Sequence, residues 1–273
     1  FPARRSSDLT LAGDTDIYLM SPTGAVQQRV VADLKSDLSP RWSPDGSRIA
    51  FLRIGPPYDS QGLFVVNADG SSEQNIYTGT QVATEFPYDP DWLDNDTLVF
   101  RRGGMMGMGL VKRSITTGEV TVLTTPGSES SDDKTAVSPD GSKIAFIRTT
   151  TLAGSSTSEL YMANSDGTNA HAILTDVGHY TPAWSPDGTK LAFIRFTALS
   201  EGGDWNIYVA NADGSNLRIL TTSMGTEFAP VWSPDGSKII FATSNELYRI
   251  NLDRTGLTRL TTNDLGEVAY GWR

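Results

Sequence analysis

One ten-residue stretch, Trp42-Ser43-Pro44-Asp45-Gly46-Ser47-Arg48-Ile49-Ala50-Phe51, keeps returning along the chain. Self-similarity at a fixed period restricts the fold more than any local feature does. The stretch recurs from Val137 to Phe146 with valine in place of tryptophan, from Trp184 to Phe193, and from Trp232 to Phe241. Trp92 to Phe100 is a degenerate copy that turns through Asp94-Asn95-Asp96, and Trp272 opens another. Between the copies lies a second motif, clearest as Tyr208-Val209-Ala210-Asn211-Ala212-Asp213-Gly214-Ser215, with relatives around Asn67-Ala68-Asp69-Gly70 and Asn164-Ser165-Asp166-Gly167. The step of roughly 40 to 50 residues is that of a four-stranded blade.

Each unit reads as two hairpins. Proline presets φ at the second position of the corner, aspartate bonds the backbone two residues on, and glycine accepts the positive φ that closes it. The flanking runs, such as Lys238-Ile239-Ile240-Phe241, are β-branched and aromatic, and no helical period is sustained. The expected fold is all-β: a six-bladed β-propeller of four-stranded antiparallel blades, the last closed by strands from the two chain ends. One domain is expected over residues 10–273. Residues 1–9 fit neither a strand nor a signal peptide and resemble the translation of a sequencing adapter. They are expected to be a non-native or unstructured leader, as in a metagenomic fragment, with native termini missing.

Composition narrows function. A net charge of −10 repels phosphate backbones, so no nucleic-acid partner is expected. No apolar run approaches membrane-spanning length, and no membrane insertion is expected. The absence of cysteine removes thiol chemistry and Cys-ligated zinc.

On the Ser-Pro-Asp-Gly and Asn-Ala-Asp-Gly repeats, from Thr15 to Trp272, the chain resembles the TolB-like propellers with their PD40 (WD40-like) Pro-Asp repeat. The resemblance implies a bacterial, periplasmic or extracellular protein that works by binding partners. The same repeat occurs in the propeller of prolyl-oligopeptidase-type peptidases, but no Gly-x-Ser-x-Gly occurs here. The expected function is therefore a non-catalytic binding or scaffold propeller, a monomer without certain cofactors, taking a protein or small ligand. The alternative is an accessory propeller of a truncated peptidase, or of another hydrolase or lyase.

The Pro-Asp corners share one face and barely vary, as a folding constraint demands. The opposite face carries the unequal connections, residues 54–62 with Tyr58, 102–109, 149–158 and 197–204, read as loops on a rigid scaffold. Five positions before each tryptophan stand Asp37, Pro87, Asp132, His179, Glu227 and Glu267, expected to ring the channel mouth with Asp89 nearby. Arg53, Arg102, Arg148 and Arg195 each follow the repeat phenylalanine by two, and unbroken hairpin register puts Arg53 opposite Leu38. Two readings stay open. The carboxylates hold a cation or basic ligand, with calcium on Asp37, Asp132, Glu227 and Glu267 as the metal candidate; or the arginines pair them and tie the blades together.

Overall fold

The computed structural model describes residues 3–7, 15–20, 27–31, 35–55, 62–78, 87–103, 108–199, 202–222, 225–243, 246–261 and 268–271. All its regular structure is β. Five blades form from four consecutive strands each. Blade I is Ser36–Trp42, Arg48–Ile54, Gly62–Asn67 and Gln74–Thr78; blade II is Pro87–Trp92, Thr97–Arg102, Gly109–Ser114 and Val120–Val122. Blade III is Ser130–Val137, Lys143–Leu152, Ser155–Asn164 and His171–Thr175. Blade IV is Ala183–Trp184, Lys190–Leu199, Gly202–Asn211 and Arg218–Ile219; blade V is Phe228–Trp232, Lys238–Ala242, Leu247–Asn251 and Thr258–Arg259.

The expectation of six blades is corrected to five of this kind. The strands of the chain ends do not follow one another along the chain as those of the five do. They join instead as a closing sheet in the order Val268–Gly271, Ala3–Ser7, Thr15–Met20, Gln27–Val31. Val268–Gly271 runs beside the first strands of both blade V and blade I. The backbone of Ala3–Ser7 pairs antiparallel with strands on both sides. A strand between two neighbours satisfies groups that would otherwise stand unpaired at two edges.

The corners explain the repeat. In Ser43-Pro44-Asp45-Gly46-Ser47, Asp45 Oδ1 accepts from the Ser43 hydroxyl and from the Ser47 N–H and hydroxyl, while Gly46 stands at φ 72°. The Ser43 hydroxyl led by these bonds holds the Asp45 carboxyl down at about 2, and the equivalent serines do the same for Asp140 and Asp187. The second corner is tied to the first, as in Ala212 N–H to Thr189 O and Ser165 N–H to Ser142 O.

Blades pack face to face, and the core is divided among the seams. Ile49, Phe51 and Val66 of blade I meet Ile17 and Val31 of the closing sheet; Ile194, Ile207 and Val209 of blade IV meet Trp232, Ile239 and Phe241 of blade V. Indoles staple the seams: Nε1 of Trp92, Trp184 and Trp232 donates to the carbonyl of Arg41, Ala136 and Ala183 in the preceding blade, at 2.9–3.0 Å. Blade III, with Val137 there, is tied by the Val137 N–H donating to the Asp91 carboxylate.

Two expected loops prove to be strands. In blade III Thr149↔Ser158, Thr150↔Thr157 and Thr151↔Ser156 continue the ladder to a turn at Ala153-Gly154; in blade IV Phe196↔Trp205 and Thr197↔Asp204 do likewise. β-branched and aromatic residues on both arms supply the cross-strand contacts that extend these hairpins beyond the rim of their neighbours.

Candidate functional site: the channel and the seams at its mouth

The innermost strands surround a cavity of about 920 Å³. Its wall is built from the positions one and three before the tryptophan column: Arg41, Asp91, Ala136, Ala183 and Val231, with Ser39, Asp89, Lys134, Thr181 and Ala229. The tryptophans line it too, with Pro44, Pro139, Pro186 and Pro234 toward the Pro-Asp corners and Tyr180 and Phe228 toward the other end. Tyr180 and Phe228 stack across blades IV and V with centroids 6.0 Å apart. The wall mixes aromatic faces with both charges, Lys134 Nζ standing 3.2 Å from Asp89.

The acid column is not on this wall. Asp37, Asp132 and Glu227 are fully buried. A one-residue bulge turns them away: Asp37↔Arg53 and Leu38↔Leu52 are followed by Arg41↔Ala50, so Ser39 and Pro40 together face one residue. The same shift occurs between Tyr88 and Asp91, Asp133 and Ala136, and Phe228 and Val231. Ser39, Asp89, Lys134 and Ala229 take the positive φ, between 49° and 54°, that the bulge requires. Strand alternation then breaks, and the position five before tryptophan faces the seam while those one and three before it face the channel. The bulge also corrects the register, since Arg53 stands opposite Asp37 and not Leu38.

In the seams, arginines meet the acids. Arg53 Nε and Nη2 donate to Asp37 at 2.8 and 3.1 Å, while Nη1 and Nη2 reach Glu73 at 2.7 and 3.0 Å. Burial works against the Arg53 charge, but the bonds to Asp37 and Glu73 outweigh it and hold the guanidinium protonated. Arg148 makes the same fork to Asp132 at 2.6 and 2.7 Å, and this pairing raises its pKa against the opposing effect of burial. The remaining sequence candidates are scattered. Arg102 lies across from Pro87, which offers no acid, and Arg195 is 3.9 Å from Asp176. His179 Nε2 is 2.8 Å from Asp133 of the preceding blade. Asp89 does line the channel. Tyr58 and Glu267 lie outside the described residues. Among the described residues no three of His, Cys, Asp and Glu gather as a metal site.

The model of the TolB beta propeller domain, PD40, matches residues 6–181 and 178–271. The chain belongs to that family. Two Protein TolB homologs, from Chlorobium luteolum and Chlorobium chlorochromatii, are 43% and 41% identical over 54 and 56 residues. Those stretches are 19% of this chain but only 12% and 13% of the relatives' own length. Crystalline TolB from Acinetobacter baumannii superposes at a TM-score of 0.74 with 18% identity, covering 98% of this chain and 66% of that one. An oligogalacturonate lyase in complex with manganese superposes at 0.59 with 19% identity, covering 92% and 72%, and at such identity the likeness shows the fold alone.

Within this TolB-type propeller, sequence reasoning missed Arg41, Asp91, Lys134, Tyr180 and Phe228 as channel residues. A signal was present. Pro40, Pro90 and Pro230 stand two before the tryptophan inside the inner strands of blades I, II and V, and proline inside an inner strand marks a bulge, hence a break in the alternation.

Proposed function

We propose that this TolB-family propeller is a non-catalytic binding module that docks a partner protein on the face opposite the Pro-Asp corners, at the channel mouth. We place it, as the family resemblance implies, in the periplasm of a bacterium. The observation that supports docking there is the asymmetry of that face. The hairpins of blades III and IV stand out beside the open channel and expose Leu152 and Phe196, with Tyr180 at the rim. Large apolar groups displayed on rigid hairpins beside a mouth are a binding surface.

A photo-crosslinking residue at Leu152 or Phe196, set against one at Asp69 or Asp166 on the corner face, tests this. A discrete adduct in a bacterial periplasmic extract is expected from the first pair only; adducts from both faces or from neither contradict it. A second reading, small-molecule lyase or hydrolase chemistry at the same mouth, draws on His179, whose Nε2–H is held by the buried Asp133 while the ring stays exposed, the posture of an oriented base. Turnover of an oligogalacturonide that disappears in His179→Ala would favour it over docking alone.

A further inference from the structure

Blades I and III carry one three-part assembly at the mouth end of their seams. A buried carboxylate (Asp37, Asp132) faces an arginine (Arg53, Arg148), and the arginine lies over a cross-strand aromatic pair. Arg53 Cζ is 5.2 and 4.7 Å from the Phe51 and Phe64 centroids; Arg148 Cζ is 5.8 and 4.4 Å from Phe146 and Tyr161. Blade V keeps two of the three parts. Glu227 supplies the buried carboxyl and Phe241 stacks on Tyr248 at 5.8 Å and 20°, like the pair in blade I. The residue across from Glu227, where the others have arginine, is Thr243.

The carboxyl is correspondingly incomplete. Its Oε2 accepts the Thr221 hydroxyl at 2.6 Å, but Oε1 is buried with no hydrogen-bond partner among the described residues. The charge that bears on it is the like charge of Asp204 across the seam. Two carboxylates and an aromatic platform, with no cation on them among the described residues, suit a planar cation that forks onto an oxygen while stacking on a ring. The arginine position reaches solvent in blade III, where Arg148 keeps 21% of its side chain exposed, and is nearly closed in blade I, where Arg53 keeps 5%.

We propose that the seam of blades IV and V is a receptor for a guanidinium group, the arginine side chain of a partner protein, which pairs with Glu227 over Phe241 and Tyr248 and so restores from outside the assembly that blades I and III build from within. This rests on the reading that the mouth face docks a partner, and it names the chemistry of the anchoring residue. It makes blade V, not the arginine-filled seams, the specific one.

The test is calorimetric titration of the protein with N-acetyl-arginine amide, its neutral isostere N-acetyl-citrulline amide, and the blocked peptide Gly-Gly-Arg-Gly-Gly. Saturable binding of the arginine compound and the peptide is expected, with the citrulline compound weaker by at least about tenfold. Binding should vanish in Glu227→Gln. It should vanish also in Thr243→Arg, which fills the site in cis and should raise the melting temperature, so loss there is not loss of fold. Equal binding of arginine and citrulline compounds, or none of either, overturns the proposal; crosslinks from Leu152 or Phe196 would in that event still support docking. Binding of the arginine amide but not the peptide keeps the guanidinium site and overturns its assignment to a protein side chain.

Discussion

Gly167 shows what the repeat demands of one residue. It sits at φ 87°, and a Cβ there would lie 2.2 Å from the Leu123 carbonyl oxygen of the preceding blade. Backbone conformation and a rigid neighbour both exclude a side chain, so Gly167→Ala should lower stability by at least ~1 kcal/mol in urea unfolding. An unchanged midpoint would contradict this contact. Glu227 makes the opposite kind of prediction. Burial pushes its carboxyl up to about 7, with the Thr221 hydrogen bond opposing the shift only in part. Its folded pKa is therefore raised, so the folded protein holds a proton that the unfolded chain releases above the ordinary value of 4.5. Stability should be greatest below that value and decline as pH rises toward 7. Glu227→Gln should flatten that part of the profile and leave the protein more stable at pH 7.5, read from melting temperatures across the range. The corner aspartates and glycines were legible in the sequence because their roles are local. The burial of Glu227 was not, since it follows from a bulge that inverts the strand's facing and from packing against blade IV, neither of which alternation alone displays.

Hairpin register shows the same division. The corners fix which strands pair, and strand identity was readable from alternation and turn chemistry. The facing of the acid column was not, because one extra residue inverts the alternation beyond it; Pro40, Pro90 and Pro230 mark that residue in three blades, and nothing in the sequence marks it in blade III, where Thr135 stands. The seam pair that results is testable. Arg53→Met leaves Asp37 buried without its guanidinium and should cost roughly 3–5 kcal/mol, whereas Arg53→Met with Asp37→Leu should recover much of the loss. A single variant as stable as the parent would show that the pair does not hold the strands. The extension of blades III and IV was also hidden, because Gly154-Ser155-Ser156 and Gly202-Gly203 interrupt the strand-forming residues and read as loop, and only the mutual register of the arms makes them a ladder.

Across the ring, the periodic tryptophan gave the architecture and the unequal face, while the blade count failed at the sheet whose strands come from the two ends of the chain. The whole account turns on the bulge dividing two surfaces, a channel wall carried by positions one and three before tryptophan and seams holding the acids. These 273 residues contain no cysteine, so single introduced thiols report this directly. Rates of thiol labelling should be compared in Ala183→Cys, on the channel wall, and Asp37→Cys, in the seam beneath Arg53. Ready reaction is expected at position 183 and labelling roughly 100-fold slower or more at 37, limited by local opening. Equal rates at the two positions would place the acid column in the channel and contradict it.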